Sequence, residues 1–228
     1  MYLRPTAAIA PDAILPGDPK RAMDIAVRVT QKPLMANHAR GLWGYTGTTR
    51  AGMELTVQAT GVGGASTAAV VSDLAELGVQ RAIRIGTCTA TAGGPAPGES
   101  IVVAAAHAAY GVGMGHASGE DLRPDPGLMS ELVRATGGHA DRIASAEPLA
   151  PTPALASDVV AVDLSTAAFL AVAEKLGIRA ACVLVVAAGP DGTRLSDGDV
   201  DAVSLKLGED AVSVLASLQP AAEPSSAA

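Results

Sequence analysis

Apolar and polar positions along this chain switch between two rhythms, and the switching predicts strands that feed helices. Residues 54–60 (ELTVQAT) read as a strand running into Gly61-Val62-Gly63-Gly64. Residues 66–77 then carry Val70, Leu74 and Leu77 at helical spacing, and Gly78 follows where a helix commonly stops. Residues 81–86 (RAIRIG) and 100–106 (SIVVAAA) read as further strands, and residues 127–135 as a helix. Residues 159–164 form a strand entering a helix that ends near Gly177. Residues 179–188 are apolar from Ala180 onward, as suits a strand buried on both faces. A final helix over residues 199–218 places Val203, Leu207, Ala211, Val214 and Leu218 on one side. No repeat period is visible. Residues 220–228, made of Pro, Ser and Ala with one Glu, are expected to be a disordered tail.

Strands alternating with helices, with continuously apolar strands, predict an α/β fold with a largely parallel central sheet, as a single domain over residues 1–219. Only 2% of residues are aromatic while 49% are hydrophobic, so Ala, Val, Leu and Ile must build the core. The net charge of -7 argues against nucleic acid or an anionic membrane as partner, because no global positive field attracts polyphosphate. A small anion needs only a few local arginines. Cys88 and Cys182 form no CxxC and have no histidine at metal-ligand spacing, so reduced thiols, no metal site and a cytoplasmic location are expected. Cys88 reads as a small buried filler. His107, His116 and His139 share no motif and read as loop or surface residues. No signal peptide is expected at the N-terminus, which lacks a basic segment followed by an apolar run.

Ligands of open α/β sheets bind beyond the carboxyl ends of the strands. The residues that matter therefore follow Leu15, Thr60, Ile85, Val162 and Val186. After Leu15 comes Pro16-Gly17-Asp18-Pro19-Lys20-Arg21, where glycine lets an anion approach backbone N–H groups and Arg21 offers a fork of donors. An ordinary Pro-Gly turn with a solvated arginine is the plain alternative. Arg84 interrupts an apolar strand, which is costly unless the charge is paired or reaches a ligand. Thr87 adds a hydroxyl at the same end. Two arginines, a glycine turn and a hydroxyl at strand ends together favour an oxyanion site. The stretch from Asn37 to Gly47 carries Arg40 among Gly, Trp and Tyr and reads as a turn leading into a strand.

In this order, PGDPxR, NxxRGxxGYTG, a GxGGxS turn with its helix, and RIGTC resemble the purine nucleoside and uridine phosphorylases of the bacterial, oligomeric type, over residues 13–218. The resemblance implies a three-layer α/β/α sandwich around a mixed, partly barrelled sheet. It implies phosphate binding by Gly17, Arg21, Arg84 and Thr87. Arg40 would be lent to the phosphate site of an adjacent subunit, in homodimers that build hexamers. Val62 would lie beside the ribose. The implied activity is that of a pentosyltransferase, with a nucleoside-like molecule as substrate, inorganic phosphate as co-substrate and no cofactor. Arg84 would act catalytically by positioning the phosphate and compensating its charge.

The same resemblance exposes departures. Where the family has VEMEAA, this chain reads Val162-Asp163-Leu164-Ser165-Thr166-Ala167. Asp163, Leu164 and Ser165 would then form the ribose and base site, with Ser165 in place of the acid that grips the ribose hydroxyls. Where purine-specific members carry Ser-Asp, with the Asp protonating the leaving base, this chain reads Ala187-Ala188. Asp191 and Arg194 follow closely and are the candidate catalytic substitutes, although Pro-Asp-Gly also reads as a turn with solvated charges. Three readings remain open: a phosphorolytic enzyme with altered base and ribose sites, a repurposed relative that binds a ligand or partner, and a nucleoside hydrolase.

Overall fold

The computed structural model describes residues 1–109, 119–146 and 155–218; His116 and the tail over residues 220–228 lie outside them. In chain order the elements are β1 (Asp12–Pro16), α1 (Pro19–Val29), β2 (Thr30–Asn37), a short 3-10 turn (Ala39–Gly41), β3 (Gly44–Thr49), β4 (Glu54–Gln58) and α2 (Gly63–Glu76). There follow β5 (Arg81–Ala90), β6 (Ser100–Ala108), β7 (Asp121–Leu122), α3 (Pro126–Thr136), β8 (His139–Ser145), β9 (Val159–Asp163), α4 (Thr166–Lys175), β10 (Arg179–Ala188) and α5 (Asp197–Ser217).

Local chemistry accounts for the helix starts. In α1 the Asp18 carboxylate accepts from Arg21 N, Pro19 occupies the first turn, and Ala22, Ile25, Ala26 and Val29 form the buried stripe. Asp125 caps α3 in the same way, and Gly137 ends it in the left-handed conformation. Ser196 caps α5, with Asp197 and Asp199 complementing its dipole.

The strands join into one sheet that closes on itself. β5 pairs with β10, β10 with β6, β6 with β8, β8 with β9, and β9 returns to β5, forming a five-stranded barrel. β1 extends this barrel from β5, followed by β4, β3 and β2. The sheet is mixed, which corrects the largely parallel arrangement read from the apolar runs. β1, β4, β5 and β10 run parallel, but β3 is antiparallel to both its neighbours, and β10–β6 and β5–β9 are antiparallel. An apolar run reports burial on both faces and carries no information on strand direction.

Period-two alternation sends neighbouring residues of each strand into two different cores. On β10, Ala180, Cys182, Leu184 and Val186 enter the core under α2 and α4, while Ala181, Val183 and Val185 enter the core under α1, α3 and α5. Helices on both faces make the three-layer α/β/α sandwich, with α2 packed on α4 and α5 packed on α1 and α3. On β5, Ala82 and Cys88 belong to the α2/α4 core and Ile83 and Ile85 to the other. Arg84, two residues from Ala82, therefore points to the α2/α4 side.

Two further readings are adjusted. α2 begins at Gly63 rather than residue 66, because glycines that read as a loop form its first turn. His107 lies in strand β6, half-buried, with Nδ1 2.9 Å from Asp121 Oδ1, while His139 opens β8 at the surface, in keeping with its reading as a surface residue. Cys88 is buried as expected of a filler, Cys182 is buried as well, and burial pushes the Cys182 thiol up to about 12. Among the described residues, no helix is long and apolar enough to cross a membrane.

Candidate active site

Two strand ends are sewn together at the site. Thr60 N donates to Pro16 O at 2.9 Å and Gly61 N to Gly17 O at 3.0 Å, so the turns after β1 and β4 lie side by side. Gly61 has φ +76, and a Cβ there would stand 2.4 Å from Ser66 Oγ, so this turn requires glycine. Ser66 Oγ donates to Thr60 O at 2.7 Å and fixes the start of α2. Val62, the N-cap residue of α2, makes no side-chain hydrogen bond to its first turn, so N–H groups there remain for another partner.

A cleft of about 430 Å³ opens here, lined by Gly17, Asp18, Arg21, Arg40, Leu42, Gly61, Val62, Gly63, Arg84, Gly86, Thr87, Leu164 and Ser165 among others. The structure thus gathers Gly17, Arg21, Arg84 and Thr87 around one cavity, and Arg40, expected at the site of an adjacent subunit, also lines this chain's own cleft. Val62, Leu164 and Ser165, from the expected sugar and base site, line the same cavity.

Arg84 defines the electrostatics. Its side chain is 5% exposed, and its Nη2 lies 3.5 Å from Asp163 Oδ2. Nε and Nη1 are buried without a hydrogen-bond partner among the described residues. Leaving charged donors unsatisfied in a protein interior is expensive, which sets this guanidinium apart from an ordinary internal ion pair. Gly86 makes room for it: a Cβ at that position would stand 2.9 Å from Arg84 Nη2 and 2.6 Å from Leu184 Cδ2. Arg21 comes from the first turn of α1, with Nε 3.5 Å from Asp201 Oδ1 but outside hydrogen-bond geometry. The Asp18 carboxylate, although at the cleft, is occupied by Arg21 N at 2.8 Å.

Arg40 is exposed and sits at φ 59, ψ 19, a left-handed conformation that is uncommon for a non-glycine residue. Its guanidinium lies 5.4 Å from the centre of the Tyr2 ring. The turn that carries it is anchored through Leu42, whose carbonyl accepts from Asn37 Nδ2 at 2.5 Å and Gln58 Nε2 at 3.0 Å.

Three expected site residues do not reach the cleft. Asp163 lies behind it, fully buried, with its carboxylate taken up by Ser145, Ser165, Thr166 and Arg84. Asp191 is exposed and accepts from Thr193 N at 3.0 Å and Thr193 Oγ1 at 2.8 Å, and these hydrogen bonds hold its carboxyl below the usual range. That is the solvated turn, closed by a bridge between Ala188 and Arg194, which is also exposed. Conversely, Gly86 lines the cleft, Ser145 and Thr166 hold Asp163 behind it, and all three escape sequence reasoning. A glycine inside the apolar strand RAIRIG was the available signal for Gly86, since such glycines mark close approach of another group. Nothing in the sequence marks Ser145 or Thr166.

An arginine-lined cleft at the strand ends of a mixed barrelled α/β sandwich is consistent with a nucleoside phosphorylase fold. The chain belongs to the phosphorylase superfamily, whose model matches residues 11–219. Among curated proteins it is similar to the DeoD-type purine nucleoside phosphorylase of Oceanobacillus iheyensis, 43% identical over 83 residues, which is 36% of this chain and 35% of that protein. The DeoD-type enzyme of Clostridium beijerinckii is 41% identical over 85 residues, 37% of this chain and 35% of its own length. That of Clostridium perfringens is 44% identical over 80 residues, 35% and 34% respectively. The matched stretch thus spans about a third of the length of these relatives.

Proposed function

We propose that this chain is a pentosyltransferase of the nucleoside phosphorylase type, using inorganic phosphate to cleave the N-glycosidic bond of a nucleoside-like molecule, with altered base and ribose sites and no cofactor. The observation that carries this reading is the buried Arg84 guanidinium with Nε and Nη1 unpartnered, in a cleft shared with Arg21, Thr87 and Gly17. A phosphate held there has its charge compensated and one oxygen free to attack an anomeric carbon lying toward Val62 and Ser165. The C–N bond breaks as the C–O bond forms, and the base leaves with the bonding electrons. Arg84 orients the nucleophile, Arg21 adds positive charge, Arg40 is lent by the neighbouring subunit, and Thr87 contributes a hydroxyl. Names of the relatives as purine nucleoside phosphorylases support the substrate class.

A second reading, a catalytically weak relative repurposed for ligand binding, is favoured by the other end of the cleft. Ala188 has no proton to give a leaving base, and Asp191 and Arg194 stay in their solvated turn. Incubating a panel of nucleosides with and without phosphate, and following base release, separates the readings. Release that requires phosphate is the expected result. Release without phosphate identifies a hydrolase, and no release from any nucleoside identifies the repurposed relative.

Assembly gives an independent check. Arg40 at the cleft mouth is exposed, as are Tyr2 beneath it and Leu34 and Met35 on the edge strand β2. A homodimer in which Arg40 crosses to the neighbouring phosphate site, or a hexamer of such dimers, covers this surface. Light scattering at micromolar concentration is expected to give at least a dimer; a monodisperse monomer contradicts the shared site.

A further inference from the structure

The carboxylate of Asp163 touches groups that serve both ends of the cleft. Oδ2 accepts from Thr166 Oγ1 at 2.7 Å, Thr166 N at 3.0 Å and Ser165 N at 3.2 Å, and lies 3.5 Å from Arg84 Nη2. Oδ1 accepts from Ser145 Oγ at 2.5 Å, and Ser145 Oγ in turn accepts from Ala167 N at 2.9 Å. Strands β8, β9 and β5 of the barrel and the first turn of α4 therefore meet at one buried acid. Arg84 belongs to the anion end of the cleft and Ser165 to its other end.

We propose that Asp163 is a positioning residue. It holds Nη2 of Arg84 and so fixes the guanidinium at the cleft, and it fixes Ser165 in register with it. This rests on reading the cleft as a phosphate site. The physical case is one of constraint. An arginine has a long flexible stem, and with a single protein partner its remaining donors are aimed only as well as that partner is itself held. Asp163 is held by hydrogen bonds from Ser145, Ser165 and Thr166, more than a counter-ion alone requires, and charge-assisted bonds of this kind are stronger than neutral ones.

The sign of one measurement separates positioning from background charge. Asp163→Asn removes a negative charge beside an anion site. If Asp163 acted only through its charge, inorganic phosphate would bind the variant more tightly. Positioning requires the reverse: calorimetric titration with inorganic phosphate is expected to give binding at least tenfold weaker than wild type. In an Arg84→Ala background, Asp163→Asn is expected to change phosphate affinity less than twofold, because the group it positions is gone. Equal or tighter phosphate binding by folded Asp163→Asn overturns the proposal, and so does an undiminished effect in the Arg84→Ala background. If circular dichroism shows Asp163→Asn unfolded, Ser145→Ala serves instead. It loosens Oδ1 without touching Arg84 and is expected to weaken phosphate binding about threefold; unchanged affinity overturns the proposal. Failure of the wild-type protein to bind inorganic phosphate at all refutes the phosphate reading itself, a different outcome from all of these.

Discussion

Gly86→Ala is expected to weaken inorganic phosphate binding as much as Arg84→Ala does, on the order of a hundredfold. The magnitude follows from the donors at stake. Hydrogen bonds to charged groups contribute about 1.5–3 kcal/mol each, and Arg84 offers two unpartnered donors, Nε and Nη1. Arg84→Ala removes them outright. Gly86→Ala leaves them in the sequence but puts a methyl group 2.9 Å from Nη2 and 3.2 Å from Cζ, so the guanidinium must turn away. Leu184 Cδ2 closes the other side at 2.6 Å, and the surrounding core leaves little room to share the displacement. Backbone strain is not the cause, since Gly86 is absent from the glycines with positive φ. Arg84→Lys keeps the charge but loses the planar fork, and is expected to fall between wild type and Arg84→Ala. Calorimetric titration with phosphate, beside thermal melts to confirm folding, reads all three. Folded Gly86→Ala with wild-type phosphate affinity would show that Arg84 does not make the anion site.

Arg84 was readable from the sequence because a charge in an apolar strand is a physical anomaly that demands a partner. Arg21, Thr87 and Gly17 were readable because strand ends are where an α/β sheet binds ligands, and all of them line one cleft. The place of Asp163 was not readable. Its position at the end of β9 says only that an acid sits at a strand end. Whether it faces the cleft or lies behind Arg84 depends on β9 closing the barrel between β8 and β5, which brings Ser145 and Arg84 to the same carboxylate. Closure is a long-range pairing with no local signature. The same holds for strand direction: the apolar run in β10 is equally compatible with its parallel partner β5 and its antiparallel partner β6. Asp191 and Arg194 could be read two ways, and local turn chemistry decided between them, as Asp-Gly turns with side-chain hydrogen bonds to the backbone commonly do.

The unmodified protein is expected to be slow or inactive on inosine and adenosine, and the double change Ala188→Asp with Ser165→Glu is expected to raise purine phosphorolysis on the order of a hundredfold. A purine leaves readily only if its ring nitrogen is protonated as the glycosidic bond breaks. At the end of β10, where the resemblance places the proton donor, stands Ala188, 3% exposed and paired in register with Thr89. An aspartic acid introduced there is partly desolvated, which raises its pKa and keeps more of it protonated near neutral pH, the form a general acid needs. Ser165 lines the cleft at the start of α4, where a glutamate supplies the charge-assisted grip on sugar hydroxyls that serine lacks. Ser165→Glu alone brings a second carboxylate close to Asp163, so it costs stability and is expected to give less than the pair. The two new groups act on one transition state, and their effects need not add. Steady-state rates of base release from inosine and adenosine at saturating phosphate provide the measurement, with phosphate titration of the variant confirming that the anion end survives. Efficient cleavage by the unmodified protein would mean that another group or a bound water supplies the proton. A folded, phosphate-binding double variant without a gain in rate would mean that position 188 does not meet the base.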